Sequence, residues 1–329
     1  MEAKKIADPE VSFIIPTYNE EVHLPRVLRS IRDHAAALNL EIIVVDNGST
    51  DLTVEIAERY GAKIIKDPSK TIAGLRNLGV SHSLGRILVF LDGDVLITPE
   101  WAVEFGKVIS ILAGNKKLIT GSRCGISSHN NWIEKYWYLP MIQETANYMN
   151  SGHLIIHRDL FFKIGGFHEK LITGEDWEFS KRAKRLGSMI VNNPRLCVIH
   201  EGYPKSLKEF VRRERWHGVQ DFCDIKSFFM SKVALFSLIY WFIGITGVVL
   251  SIYFRSMYYI IMAMAIDSIF CIFATVIKRR KFPLNMFLYF VLYHVYFFSR
   301  GLSIGDRLFR NNLRRNGTCV GHRRASYLD

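Results

Sequence analysis

The sequence predicts an α/β fold, with a mostly parallel, doubly wound sheet followed by C-terminal helices of membrane character. Three observations predict it. Short continuous apolar runs alternate with amphipathic stretches over the first two thirds of the chain, and those runs end in loops rich in Asp, Asn, Gly and Pro. The composition then shifts near Met230, after which long uncharged stretches take over. Continuous apolar runs suit strands buried on both faces. Strand-helix-strand alternation suits parallel pairing through crossover helices.

Residues 11–15, 41–45, 62–65 and 87–91 read as strands. Between the first two, Leu24, Val27, Leu28 and Ile31 recur at helical spacing, and Val54, Ala57 and Glu58 do so less regularly after the second. Ligands of such sheets bind beyond the carboxyl ends of the strands. Three of these strands end in Pro16-Thr17-Tyr18-Asn19-Glu20, Asp46-Asn47-Gly48-Ser49 and Asp92-Gly93-Asp94. Parallel pairing brings all three loops to one edge. Alone, Asp92-Gly93-Asp94 reads as a turn. On this edge, two carboxylates at i and i+2 suit a divalent cation, and hard oxygen ligands favour Mg or Mn.

Further along, Asn150, Ser151 and Gly152 precede an apolar strand at 154–156, and His200 follows an apolar run at 197–199. Glu175 and Asp176 are adjacent acids. Such a pair raises the proton affinity of one member, and acids also suit a helix N-terminus. The formal net charge of +12 predicts anionic partners such as nucleotides, phospholipid head groups or phosphorylated substrates. Nucleic acid is not an expected partner. The five cysteines are scattered, with no C-x-x-C, so neither a disulfide framework nor a zinc site is read. The start, MEAKKIADPE, has no apolar core of a secretory signal, so the N-terminal part is expected to stay in a reducing cytosol.

The stretches FIIPTYNEE, IIVVDNGSTDLT, AGLRNLG, VFLDGDVLI, IGGFHEKLITGEDWEF and RRERW, in this order over residues 11–216, resemble the motif series of glycosyltransferase family 2, with its GT-A (Rossmann-like) fold. The resemblance implies an inverting, metal-dependent transferase with a nucleotide-sugar donor, a UDP- or GDP-sugar. It implies nucleotide contacts from Pro16, Tyr18, Glu20, Asp46, Arg76 and Asp92, and gives less weight to Asn47, where relatives vary. Arg76 can also be a solvated helix arginine. Asp94, with Asp92 and His200, would hold Mn or Mg, although His200 can equally be a hydrogen-bonded surface histidine. Asp176 resembles the catalytic base, with Glu175 beside it. Arg212, Arg215 and Trp216 resemble a Q-x-x-R-W motif with arginine in place of glutamine, implying acceptor or diphosphate contacts. That stretch also suits a basic helix on anionic lipid. Asn150, Ser151 and Gly152 would line the sugar pocket. The aromatic cluster Trp132, Tyr136, Trp137 and Tyr138 suits sugar stacking, core or a membrane interface.

Rival classes fare worse. PTYNEE is not the Gly-rich, Arg-containing loop of a sugar-nucleotide pyrophosphorylase, and no G-x-G-x-x-G follows the first strand as a nicotinamide dehydrogenase requires. A dead scaffold predicts broken motifs, yet Asp46, Asp92, Asp94 and Asp176 are all present.

Residues 233–254 carry no charge, and residues 257–277 carry only Asp267. Each is long enough to cross a bilayer. With the enzyme domain in the cytosol, two crossings return the basic run Lys278-Arg279-Arg280-Lys281 to that side, as the positive-inside rule prefers. The third apolar stretch, 282–299, is shorter and interrupted by Pro283, Asn285 and His294, and the tail from Arg300 has seven arginines against two aspartates. It is therefore expected to lie in the interface or re-enter, with the tail inside. The expected layout is a GT-A domain at 1–204, a basic interfacial helix region at 205–231, and a membrane hairpin, interfacial helix and basic tail at 232–329. Asp267, in mid-span, is a functional candidate or a protonated or paired side chain, with His294 a candidate partner. The expected activity is transfer to a hydroxyl of a lipid-linked or growing glycan at the cytosolic face of the inner (cell) membrane. A polyprenyl-phosphate acceptor and processive polysaccharide synthesis are the alternatives, and homo-oligomerisation stays open.

Overall fold

The computed structural model describes residues 8–142, 147–219, 221–222, 225–279 and 285–315. These form two compact units. One holds residues up to His129 together with Ile142–Tyr203, and the other holds Asn130–Met141 and the described residues from Pro204 on.

The strands of the first unit are β1 (Val11–Thr17), β2 (Leu40–Asp46), β3 (Lys63–Lys66), β4 (Ile87–Leu91), β5 (Val95–Ile97), β6 (Leu118–Gly121), β7 (Gly125–Ile126), β8 (His153–His157), β9 (Met189–Asn192) and β10 (Val198–His200). Seven make one sheet in the order β3-β2-β1-β4-β8-β6-β9, and β5-β10-β7 make a second. In the large sheet β8 runs antiparallel to both neighbours, β4 and β6. The other pairs are parallel. This is the mostly parallel GT-A type sheet, and the four strands expected from apolar runs are its β1 to β4.

Helices α1 (Leu24–Ala35), α2 (Thr53–Arg59), α3 (Ile72–Ser81), α4 (Pro99–Gly114), α5 (Leu139–Ile142), α6 (Arg158–Ile164) and α7 (Glu175–Arg185) follow in chain order. Strand residues alternate between two cores. Phe13, Ile15 and Val89 face α1 and α4 with Leu24, Leu28, Trp101 and Phe105. Ile14, Leu88, Phe90 and Ile156 face a second core with Val80, Phe161, Phe167 and Phe179. Apolar residues fill successive positions of β1, β4 and β8 because both faces are covered. Gly79 lets α3 sit directly on the sheet, since a Cβ there would lie 2.5 Å from the Ile14 side chain.

The second unit contains a π-helical turn at Glu134–Tyr138 and most of α5, then α8 (Leu207–Gly218), α9 (Ile225–Met230), α10 (Lys232–Tyr253), α11 (Tyr258–Arg279) and α12 (Met286–Arg315). Three helical stretches, Lys232–Tyr253, Tyr258–Lys278 and Met286–Asp306, are long and apolar enough to cross a membrane. The third apolar stretch thus belongs to one continuous helix from Met286. Arg280, Lys281, Pro283 and the tail beyond residue 315 lie outside the described residues. Trp137 is core in this unit, with ring centroids 5.2 Å from Phe210, 5.1 Å from Tyr293 and 4.9 Å from Tyr296. The expected Asp267–His294 pairing is not formed. His294 Nδ1 lies 3.0 Å from the Tyr240 hydroxyl, and the buried Asp267 Oδ1 has no hydrogen-bond partner.

Candidate active site

The carboxyl ends of β1, β2 and β4 lie together, because Thr17 is in register with Asp46 and Ile14 with Phe90. The first two loops are tied to one another. Ser49 Oγ accepts from the Asn19 amide at 2.9 Å, Thr53 Oγ1 from the Glu20 amide at 2.7 Å, and Asn19 Oδ1 from the Thr50 amide at 2.9 Å. Asn19 adopts a left-handed backbone with φ of 53°, which Asn tolerates better than most residues. Sequence reading passed over Asn19, Ser49 and Thr53. Their signal lay in the polar stretches TYNEE and NGSTDLT, which supply short side chains able to bond backbone amides.

Asp46 is 1% exposed and serves its own loop. Its Oδ2 accepts from the Gly48 amide at 2.9 Å and the Ser49 amide at 3.0 Å, and its Oδ1 accepts from the Ser49 hydroxyl. Two groups next to it also have open capacity. Thr17 Oγ1 and Asn47 Oδ1 are buried without a hydrogen-bond partner. Tyr18 and Glu20 are only partly covered, and Glu20 Oε2 lies 3.3 Å from His23 Nδ1. That contact comes first in holding the His23 imidazole above its ordinary range, against burial.

Beyond β4, the two aspartates have separate surroundings. Asp92 Oδ1 receives Arg76 Nη2 at 2.6 Å. Asp94 Oδ2 lies 3.7 Å from His200 Nε2. The small sheet makes the second approach, since β10 pairs antiparallel with β5 and sets His200 opposite Val95. Two glycines admit the carboxylates. A Cβ on Gly152 would lie 2.7 Å from Asp92 Oδ2, and one on Gly202 would lie 2.0 Å from Asp94 Oδ2. Among the described residues, no group of three or more His, Cys, Asp and Glu side chains forms a closed metal cage. Asp94 and His200, with side chains 3.7 Å apart, are the pair of candidate ligands that lies together here.

Arg76 is not the solvent-facing helix arginine that its place in AGLRNLG allows. It is 1% exposed. Its second arm, Nη1, donates to Glu175 Oε1 at 2.8 Å. The same oxygen accepts from Ser151 Oγ at 3.0 Å. Burial works against the Arg76 charge, but Asp92 and then Glu175 outweigh it and hold the guanidinium pKa above its usual range. Asn150 and Gly152 complete the turn into β8, with the Gly152 amide donating to Asn150 Oδ1 at 2.6 Å.

Glu175 and Asp176 begin α7 but face different surroundings. Glu175 is buried and held by Arg76 and Ser151. Asp176 is half-buried, and the hydrogen bond found for its side chain comes from the adjacent Trp177 amide at 2.7 Å. Withdrawal from water, and then the Glu175 charge, push the Asp176 carboxyl up to about 7. The loop before α7 is clamped from both sides. Asn77 bonds both backbone groups of Phe167, and Arg182 donates to the Ile164 carbonyl at 2.6 Å and the Gly166 carbonyl at 2.7 Å. Neither Asn77 nor Arg182 was picked out by sequence reading.

Residues 12–167 match the family model described as Glycosyl transferase family 2. These residues thus resemble a glycosyltransferase family 2 domain. Glycosyltransferase AglE of Haloferax volcanii is 31% identical over 193 residues, which is 54% of this chain and 62% of that one. The 4,4'-diaponeurosporenoate glycosyltransferase of Staphylococcus haemolyticus is 38% identical over 101 residues, 29% of this chain and 26% of that one. The chain thus spans less than two thirds of the length of these curated relatives. The structure of mannosyltransferase PcManGT from Pyrobaculum calidifontis, in complex with GDP-Man and Mn2+, superposes with a TM-score of 0.55 at 16% identity, covering 92% of this chain and 88% of that one. That likeness is one of fold.

The remaining expected site residues, Arg212, Arg215 and Trp216, lie on α8 in the second unit. Arg215 is already engaged there, with Nε 3.1 Å from Asp306 Oδ2 and Nη2 on the other carboxylate oxygen. Trp216 packs edge-on against His217 at 4.8 Å.

Proposed function

We propose that the chain is an inverting, metal-dependent glycosyltransferase that moves a sugar from a nucleotide-sugar donor to a hydroxyl of a lipid-linked or growing glycan at the cytosolic face of the cell membrane. The observation that carries this reading is the division between Glu175, clamped by Arg76 and Ser151, and Asp176, left with a raised proton affinity. A phosphate acceptor is already ionised near neutral pH. A hydroxyl must lose a proton as it attacks, and a carboxylate with pKa near 7 is suited to take it.

The donor's nucleoside would lie over β1 and β2, where the Thr17 hydroxyl and Asn47 carbonyl have open capacity. Pro16, Tyr18 and Glu20 would border it, and Asp46 would shape the loop. Asp94 and His200 would hold Mn or Mg, which when bound supplies Lewis-acid stabilisation to the departing diphosphate. Asp92, fixed by Arg76, would orient the donor beside it. Ser151 and Gly152 would close the pocket floor, and Asp176 would take the acceptor proton during direct displacement. Arg212 and Trp216 would serve the acceptor side, while Arg215 serves α8 packing. Helices α10 and α11 would anchor the enzyme beside lipid-borne acceptors.

A polyprenyl-phosphate acceptor is the second reading, favoured by the same membrane helices. The test compares Asp176→Asn on both acceptor types. On a hydroxyl acceptor the rate should fall by about 100- to 10,000-fold, with nucleotide affinity nearly unchanged. A similar small effect on both acceptors would remove Asp176 from the chemistry.

A further inference from the structure

Arg76 touches both carboxylate systems of the candidate site. One arm of its guanidinium holds Asp92 at 2.6 Å and the other holds Glu175 at 2.8 Å. The three residues come from α3, the loop after β4 and the start of α7. The planar fork spans two carboxylates at once, which a lysine ammonium on its flexible stem does less well. The cation is 1% exposed, so water screens these contacts little. Its Phe167 neighbour, 5.8 Å from the guanidinium carbon, belongs to the loop that leads into α7.

We propose that Arg76 is a positioning residue shared by both halves of the reaction: it fixes Asp92 for the donor and, through Glu175, sets the pH range in which Asp176 accepts the acceptor's proton. This rests on Asp176 being the base, as proposed above. Glu175 is then not a second base, because its carboxylate is committed to Arg76 and Ser151. It is a fixed negative charge beside Asp176. The charged and titratable groups around Asp176 are Glu175 on its own helix, Arg76 from α3 and Tyr148 ahead of β8. Tyr148 is in turn within reach of the Arg123 charge. Removing the Arg76 cation should make Asp176 hold its proton to higher pH. Removing the Glu175 anion should release the proton at lower pH.

The test uses the full-length protein in detergent and two readouts. One is the pH midpoint of the protonated-carboxyl infrared band that disappears in Asp176→Asn. The other is affinity for Mn·UDP and Mn·GDP as probes. Arg76→Gln should raise the midpoint by about one pH unit and weaken the tighter-binding probe about tenfold or more. Arg76→Lys should recover part of both. Glu175→Gln should lower the midpoint by about one unit while keeping nucleotide affinity within about threefold. If Arg76→Gln does not fold, the Glu175→Gln shift alone carries the test. An unmoved midpoint in Glu175→Gln, or an Arg76→Gln enzyme that loses stability with neither readout changed, overturns the proposal. Full hydroxyl-transfer activity in Asp176→Asn would instead overturn the assignment of the base, and is measured separately.

Discussion

Asn77 holds Phe167 by both of its backbone groups. Its Oδ1 accepts from the Phe167 amide at 2.9 Å, and its Nδ2 donates to the Phe167 carbonyl at 2.9 Å. One side-chain amide thus takes the place of a neighbouring strand, ninety residues away in the chain. It also donates to Glu169 Oε1 at 3.0 Å. Because Asn77 follows Arg76, α3 positions the donor-side aspartate and the start of α7 from adjacent residues. Asn77→Asp keeps one acceptor but sets a carboxylate against the Phe167 carbonyl and Glu169. It should cost about 1–3 kcal/mol, read by chemical denaturation, and Asn77→Ala should cost a similar amount. A cost below about 0.5 kcal/mol would show that the loop holds without the clamp.

Much of this was legible in the sequence, for physical reasons. Strands β1 and β4 and the second half of β2 are buried on both faces, so their apolar runs are unbroken, and a parallel sheet puts their loops on one edge. What escaped notice depends on contacts between distant residues. Arg76 reaches Glu175 across ninety-nine positions, and nothing local marks a helix arginine as a buried fork. The motif resemblance marks Asp46 as a nucleotide contact, but it does not show that the same oxygens accept from the amides and hydroxyl that follow. The grouping of 130–141 with the C-terminal unit has no local signature either. There, aromatic residues that suit a sugar site are also the ones that suit a core.

Asp46→Ala should therefore act through the loop. It removes the acceptor for two amides and a hydroxyl, so stability should fall by about 1–3 kcal/mol along with nucleotide affinity. Asn47→Ala should leave the fold intact and weaken nucleotide affinity alone. Thermal unfolding and Mn·UDP or Mn·GDP titration of both variants separate the roles. Equal stability of Asp46→Ala and parent would return Asp46 to the ligand-contact role.

The Asp94 site gives a metal prediction with two independent variants. Asp94→Ala should abolish transfer and the Mn-dependent part of nucleotide affinity. Gly202→Ala changes no ligand, but its methyl would sit 2.0 Å from Asp94 Oδ2, so the carboxylate must turn away. The same loss of Mn dependence is expected, in smaller measure. Near-normal activity in Asp94→Ala would remove this pair from the metal site.

Topology is testable through α8. Arg215 on α8 pairs with Asp306 near the far end of α12, and Ser303 Oγ donates to the Arg215 carbonyl at 2.8 Å. The chain enters α10 at Lys232, soon after α8 ends at Gly218. Residues 300–306 should then lie on the same side of the membrane as α8, with α12 lying in the interface or re-entering rather than crossing. Reporters inserted after Gly218 and fused after Asp329 should both read cytosolic. A periplasmic signal from the second would establish a third crossing.

The raised proton affinity of Asp176 sets the pH dependence, with opposite signs for rate and stability. The base must be ionised to accept a proton, so transfer to a hydroxyl should rise with pH and level off above about 7. Stability runs the other way. The folded-state pKa, about 7, lies above the ordinary value of 3.8. Between these values the folded chain keeps a proton that the unfolded chain releases, so the stabilisation is complete below 3.8 and is lost as pH rises through about 7. Asp176→Asn removes that loss. Relative to the parent, it should show its largest gain in thermal stability at pH 8 and a much smaller difference at pH 4. Its residual transfer rate should lose the acid limb near 7. An acid limb that persists unchanged in Asp176→Asn would assign it to another group, and an equal stability difference at both pH values would mean that Asp176 keeps an ordinary carboxylate pKa in the folded chain.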